Sequence, residues 1–169
     1  FDQPEISEYV LRNEDNTVRL FQFVFLTIQQ RFDRMAEQMA SVDALGVESP
    51  FLFGHKRKGF AHVLANKRDL WLMLQDCDGE RLGNVERDTL LALASIPGLG
   101  LVKAGFVLQC AVSGLGGCLD THNMRRFGLN PNSFRFGPKA TYTLQQKKAE
   151  LYIETCKRNG GSEVLWNSW

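Results

Sequence analysis

The sequence predicts an all-α fold. Apolar residues recur at three- and four-residue intervals over most of the chain, and Gly and Pro clusters punctuate the periodic stretches. No pair of alternating segments around a tight turn reads as a β-hairpin. With 169 residues, 44% of them hydrophobic, the chain holds enough apolar material for a single domain with its own core.

The first strong pattern runs from Val18 to about Ala40. Val18, Leu20, Phe21, Val24, Phe25, Ile28, Phe32, Met35, Ala36 and Met39 form an apolar stripe, with Arg19, Arg31, Asp33, Arg34 and Glu37 mainly off it. This predicts one amphipathic helix that bends or ends near Ser41–Asp43. A loop follows from Gly46 to Gly54, with Pro50 inside it. Lys58 to Asp76 reads as helix, with Phe60, Val63, Leu64, Leu70, Trp71 and Leu74 as core and an interruption at Asn66–Asp69. Asp78-Gly79 stops it. Val85 to Ala94 is a further helix, terminated by Pro97-Gly98. Leu101 to Val112 is helical and ends in Gly114, Gly116 and Gly117. Asp120 or Thr121 can cap a short helix through Arg126. Pro131 to Pro138 is loop, and Thr141 to Arg158 makes a last long helix.

Charge and cysteine usage exclude several classes. Lys and Arg total 20 against 19 acidic residues, a net charge of +1, which describes neither a polycation coating nucleic acid nor an acidic chaperone. An aromatic content of 11% excludes a disordered chain. The four cysteines, Cys77, Cys110, Cys118 and Cys156, are 33, 8 and 38 positions apart. They contain no C-x-x-C pair, so no zinc ribbon or iron–sulfur cluster is expected. Cys110 sits in an apolar helical stretch and reads as a small buried hydrophobe. Apolar runs such as Phe23 to Ile28 are too short to span a bilayer, so no membrane is expected. No secretory leader opens the sequence, which points to a reduced, intracellular compartment.

The informative segment is Leu91-Ala92-Leu93-Ala94-Ser95-Ile96-Pro97-Gly98-Leu99-Gly100-Leu101-Val102-Lys103-Ala104: a helix, a tight glycine-containing turn and a second helix. Gly98 and Gly100 permit close backbone approach, and the free N–H groups opening the second helix favour a phosphate. Taken alone, Pro-Gly-x-Gly is equally an ordinary helix–helix turn. Beyond it stands Gly116-Gly117-Cys118-Leu119-Asp120-Thr121-His122-Asn123-Met124-Arg125-Arg126. The order I-P-G-L-G, V-K-A and L-D-T-H resembles the helix-hairpin-helix (HhH-GPD) DNA glycosylases related to endonuclease III. That family carries L-P-G-V-G, a helix beginning x-K-T-A, and V-D-T-H before a short basic helix. The resemblance extends to Phe53-Gly54-His55-Lys56-Arg57-Lys58, similar to the family's Y-x-x-K-A helix start, and to Leu26-Thr27-Ile28-Gln29-Gln30, similar to its L-S-x-Q. It covers residues 20–130.

The resemblance implies a cleft between two helical lobes, with 1–17 and 139–169 completing the second lobe. It implies an enzyme that flips a damaged, mispaired or modified base out of double-stranded DNA and cleaves its N-glycosidic bond. Asp120 is then the catalytic carboxylate, stabilising positive charge on the sugar or orienting water; by itself it reads as a helix cap. Bifunctional members place a catalytic Lys two positions after the second hairpin glycine and eighteen before the aspartate, and here Val102 stands there. Valine forms no Schiff base. Lys103, about 100° further round the helix, is the alternative nucleophile, and water is the expected one.

DNA contacts are expected from Gly98, Leu99, Gly100, Val102, Lys103 and His122, and from the basic residues His55, Lys56, Arg57, Lys58, Arg125 and Arg126, with Lys139, Lys147 and Lys148 further on. Gln29 matches the residue that fills the gap left by the base. Phe134, Phe136, Trp166 and Trp169 are candidates for base stacking, or for core. The resemblance allows a monovalent cation on the hairpin backbone, no other cofactor, and a monomer in the cytoplasm, associated with the nucleoid. It also admits a non-excising DNA-binding or base-modifying relative, as in phage DNA hypermodification.

Overall fold

The computed structural model describes residues 2–28, 30–81 and 83–166. Among them the chain is helical and no strand forms. The helices are α1 (Gln3–Leu11), α2 (Glu14–Thr27), α3 (Met35–Leu45), α4 (His55–Ala65), α5 (Lys67–Gly79), α6 (Val85–Ala94), α7 (Gly100–Ala111), α8 (Thr121–Arg126), α9 (Tyr142–Arg158) and α10 (Gly161–Trp166). None of the described helices is long and apolar enough to cross a membrane.

Two helices organise the core. In α7 every residue from Ala104 to Ala111 is buried, so it is covered on all sides, by α6, α1 and α2 among others. In α2 the buried stripe Leu20, Phe21, Val24, Phe25 and Leu26 meets α1, α3, α4, α5 and α7. The ends of the chain are fastened to the last turn of α7 by buried polar groups. Gln3 Nε2 donates to the Gln109 carbonyl at 2.8 Å and to Ser162 Oγ at 2.6 Å, and Ser7 Oγ donates to the Ala111 carbonyl at 2.6 Å.

The α6 and α7 boundaries fall within a residue of expectation, and Thr141 caps α9 through the Leu144 N–H at 3.2 Å. Two expectations are corrected. The single helix expected from Val18 to Ala40 is two helices, because Ile28 leaves the helix with ψ 113° and a 3₁₀ turn spans Phe32–Arg34. No Gly or Pro marks this break. Thr27 Oγ1 donates back to the Val24 carbonyl at 2.6 Å, and Arg31–Asp33 and Arg34–Glu37 ion pairs hold the new turn. Leu64, expected in the core, is 41% exposed. α9 is the last long helix among the described residues, as expected, and beyond it the chain turns at Gly160 and forms the six-residue α10, whose Leu165 is fully buried.

After a turn at Val112–Leu115, the segment 116–120 returns beside α7 as a strap, and small residues let it lie close. A Cβ at Gly105 would collide with the Gly117 carbonyl and stand 2.7 Å from the Tyr152 ring. One at Gly116 would stand 2.8 Å from the Gly105 carbonyl. Gly105→Ala is therefore expected to lower unfolding free energy in urea by about 2 kcal/mol or more. Gly79→Ala, where a Cβ meets nothing within 4 Å, should change it by less than about 1 kcal/mol and in the stabilising direction.

Candidate functional site

The turn between α6 and α7 is built from apolar anchors and exposed glycines. Ile96 and Leu99 are buried, and the Leu99 N–H donates to the Ile96 carbonyl at 3.1 Å, closing a turn with Pro97 and Gly98 in the middle. Gly98 has φ 82°, the positive value that the third position of such a Pro-Gly turn requires. A Cβ there would also meet the His55 carbonyl at 3.0 Å, because the start of α4 packs on the turn. Gly59, one turn further along α4, lies directly under the Pro97 carbonyl and the Phe25 ring. The Ile96 carbonyl is thus used within the turn, and the Pro97 carbonyl packs against Gly59. The amides opening α7 have no side-chain cap, and a Cβ at Gly100 would point into open space.

That open side is the wall of a cleft of about 660 Å³. Thr27 and Ile28 from the end of α2 line it, with Leu99 to Lys103, Leu119 to Thr121, Met124, Arg135 and Phe136. Val102 and Lys103 both face it, so the one-step rotation between them does not remove Lys103 from the site. The Lys103 ammonium donates to Thr27 Oγ1 at 3.1 Å and lies 5.9 Å from the Phe106 ring centroid. It therefore stands at the carbonyl end of α2, where the helix dipole favours a cation. It forms no ion pair with the described residues.

Asp120 lines the same cleft as the N-cap of α8. Its Oδ1 accepts from the Asn123 N–H at 2.9 Å, and Asn123 Nδ2 donates to the Cys118 carbonyl at 2.8 Å. The strap before it is pinned by the buried Tyr152 hydroxyl, which accepts from the Leu119 N–H at 3.0 Å and donates to the Gly117 carbonyl at 2.7 Å. Cys118, between these anchors, is buried, and burial pushes its thiol up to about 12; the charge of Asp120 adds to this while that of Lys103 opposes it. One thiol thus senses both charged groups.

The expected contacts divide. Gly98, Gly100, His55 and Lys58 are exposed around the turn, and His122, Arg125 and Arg126 are exposed on α8. Leu99 is a core anchor, so only its backbone is available. Lys56 is not a surface cation: it is 4% exposed. The Arg57 guanidinium donates to the Leu52 carbonyl at 2.9 Å and the Ser49 carbonyl at 3.4 Å, bracing the 49–54 loop rather than facing solvent. Lys148 donates to the Arg135 carbonyl. Phe134 and Phe136 both line the cleft; Phe134 is largely buried, edge-on against Tyr152 at 4.9 Å. Trp166 is corrected as a stacking candidate: it lines a second pocket with Asp2, Gln3 and Pro4, at the Ser113 end of α7. Twelve residues of helix, about 18 Å, separate that end from the turn. Gln29 and Trp169 lie outside the described residues.

Sequence reasoning missed the roles of Thr27 and Tyr152. Thr27 stood inside the quoted Leu26–Gln30 motif, but nothing local announces that its hydroxyl receives a lysine from 76 positions away. Among the described residues no group of three or more His, Cys, Asp or Glu is arranged to hold a metal ion. Comparison with protein-family models, with curated proteins and with solved structures gives no match.

Because Asn caps helices about as well as Asp, Asp120→Asn should keep its stability within about 0.5 kcal/mol. Asp120→Ala should lose about 1 kcal/mol in the same urea titration.

Proposed function

We propose that the chain is a helix-hairpin-helix DNA glycosylase that hydrolyses the N-glycosidic bond of a damaged, mispaired or modified base, with water as nucleophile. One observation carries this reading: parts of three segments that resemble that family, Thr27–Ile28 at the end of α2, Leu99–Gly100 at the end of the glycine turn, and Asp120, line a single cleft. The uncapped amides of α7 and the exposed glycines suit a DNA phosphate. Asp120 suits the sugar.

In the reaction the C1′–N bond breaks and the base departs with its electron pair. The sugar gathers positive charge, and the Asp120 carboxylate, fixed by the Asn123 amide, stabilises it. Water then forms the new C1′–O bond and gives up its proton, and the leaving base takes up one. Lys103 adds positive charge to the cleft lining, and Phe136 offers a ring to the extruded base. No step is assigned to a cation on the hairpin backbone. The second reading, a non-excising DNA-binding or base-modifying relative, is favoured by Val102, which leaves the family's hairpin nucleophile position without an amine.

Base release over a panel of damaged and modified duplexes tests both. Asp120→Asn is expected to slow release by about 100-fold or more; full excision by this variant overturns the role of Asp120. Borohydride should trap no crosslink, and a crosslink dependent on Lys103 overturns the assignment of water. A wild-type chain that binds duplex DNA and releases nothing selects the second reading.

A further inference from the structure

Lys56 is a cation in a place that nothing in the described chain explains. It lies in the first turn of α4, 4% exposed, and its Nζ has no hydrogen-bond partner. Its ammonium sits 4.3 Å from the Phe53 ring centroid, just ahead of the α4 N-terminus. The ring offers it a cation–π contact, which replaces only part of a lost hydration shell. Burial lowers its proton affinity from the ordinary lysine value, and the charge that acts on it besides is another cation, Lys103. Neither lysine has a carboxylate within 4 Å among the described residues.

Two ammonium groups that repel each other, one of them dry, are unfavourable unless a negative charge joins them. The surroundings suit such a charge. The first turn of α4 has no side-chain cap and no acidic residue. A Cβ at Gly54 would meet nothing within 4 Å, so there is room beside that end of the helix. Phe53, 48% exposed, covers the ammonium and has solvent to swing into.

We propose that Lys56 and Lys103, with the His55 amide that opens α4, form one phosphate-binding site closed by the Phe53 ring; the Lys56 N–H itself donates to the Phe53 carbonyl. The site takes a phosphate group, supplied either by the DNA backbone or by free phosphate. The DNA source rests on the function proposed above; the site itself does not.

Two measurements test it without using base release. In the first, melting is followed in inorganic phosphate against chloride of equal ionic strength. Wild type should melt on the order of 3 °C higher in phosphate, and Lys56→Met and Lys103→Met should lose that shift. Lys56→Arg, which keeps the charge, should retain part of it. Lys103 is half-exposed, so Lys103→Met keeps the test usable if Lys56→Met does not fold. In the second, duplex DNA affinity is measured against salt. If the ligand is a DNA phosphate, Lys56→Met should flatten the logarithmic salt slope by about one unit. A phosphate shift lost in the variants with an unchanged slope supports the site and assigns it to free phosphate. A flattened slope without a phosphate shift assigns it to DNA. If phosphate protects all forms equally or none, and the slope is unchanged, the site does not exist.

Discussion

The candidate site depends on a direct approach between two stretches of backbone, at Gly105 in the middle of α7 and Gly117 in the strap that returns beside it. The Gly117 N–H donates to the Gly105 carbonyl at 3.2 Å, so α7 and the strap touch with no side chain between them. The Tyr152 hydroxyl then satisfies the strap's next two polar groups inside the core. Unpaired, each would cost about 1–3 kcal/mol. This contact sets the path of the chain from Val112 to Asp120, and hence which wall of the cleft carries a carboxylate. α9 supports the site through Tyr152 and through Lys148, which donates to the carbonyl of the cleft residue Arg135. Its distance from the cleft chemistry does not make it dispensable, since it holds the segment that delivers Asp120.

Most helices were legible because their apolar periodicity and their stop signals coincide, as for α6 between its entry turn and Pro97-Gly98. The break at Ile28 was not, since both flanking pieces are amphipathic and their stripes join into one false continuous pattern. The mouth of the cleft depends on that break: Thr27 caps nothing in a continuous helix, but at a helix end its hydroxyl is free to receive Lys103. Asp120 as a cap was legible from local residue chemistry. Its neighbour in the cleft was not, because that pairing is made by tertiary packing alone. The basic run His55–Lys58 shows the same limit. Four adjacent residues on a helix point in different directions, and here two face solvent, one braces a loop and one enters the interior.

The near-zero net charge conceals an uneven surface. Many cations are matched locally: Arg87 bridges Asp88 and Glu150, Arg81 meets Asp78, and Arg31 and Arg34 meet Asp33 and Glu37. Lys58, Arg125, Arg126, Lys139 and Lys147 are exposed and form no ion pair with described residues. They belong to the starts of α4 and α9 and to α8. An average over the chain is silent about this, because pairing removes charges of both signs in equal number and leaves the excess wherever the pairs are not.

The cap at Asp120 has an evolutionary consequence. A single-nucleotide change turns an aspartate codon into an asparagine codon, and asparagine holds the Asn123 amide equally well. The negative charge in the cleft can therefore disappear in one mutational step while α8, the strap and the folded scaffold persist. A lineage built on this architecture can cross from one chemistry to another without passing through an unstable ancestor.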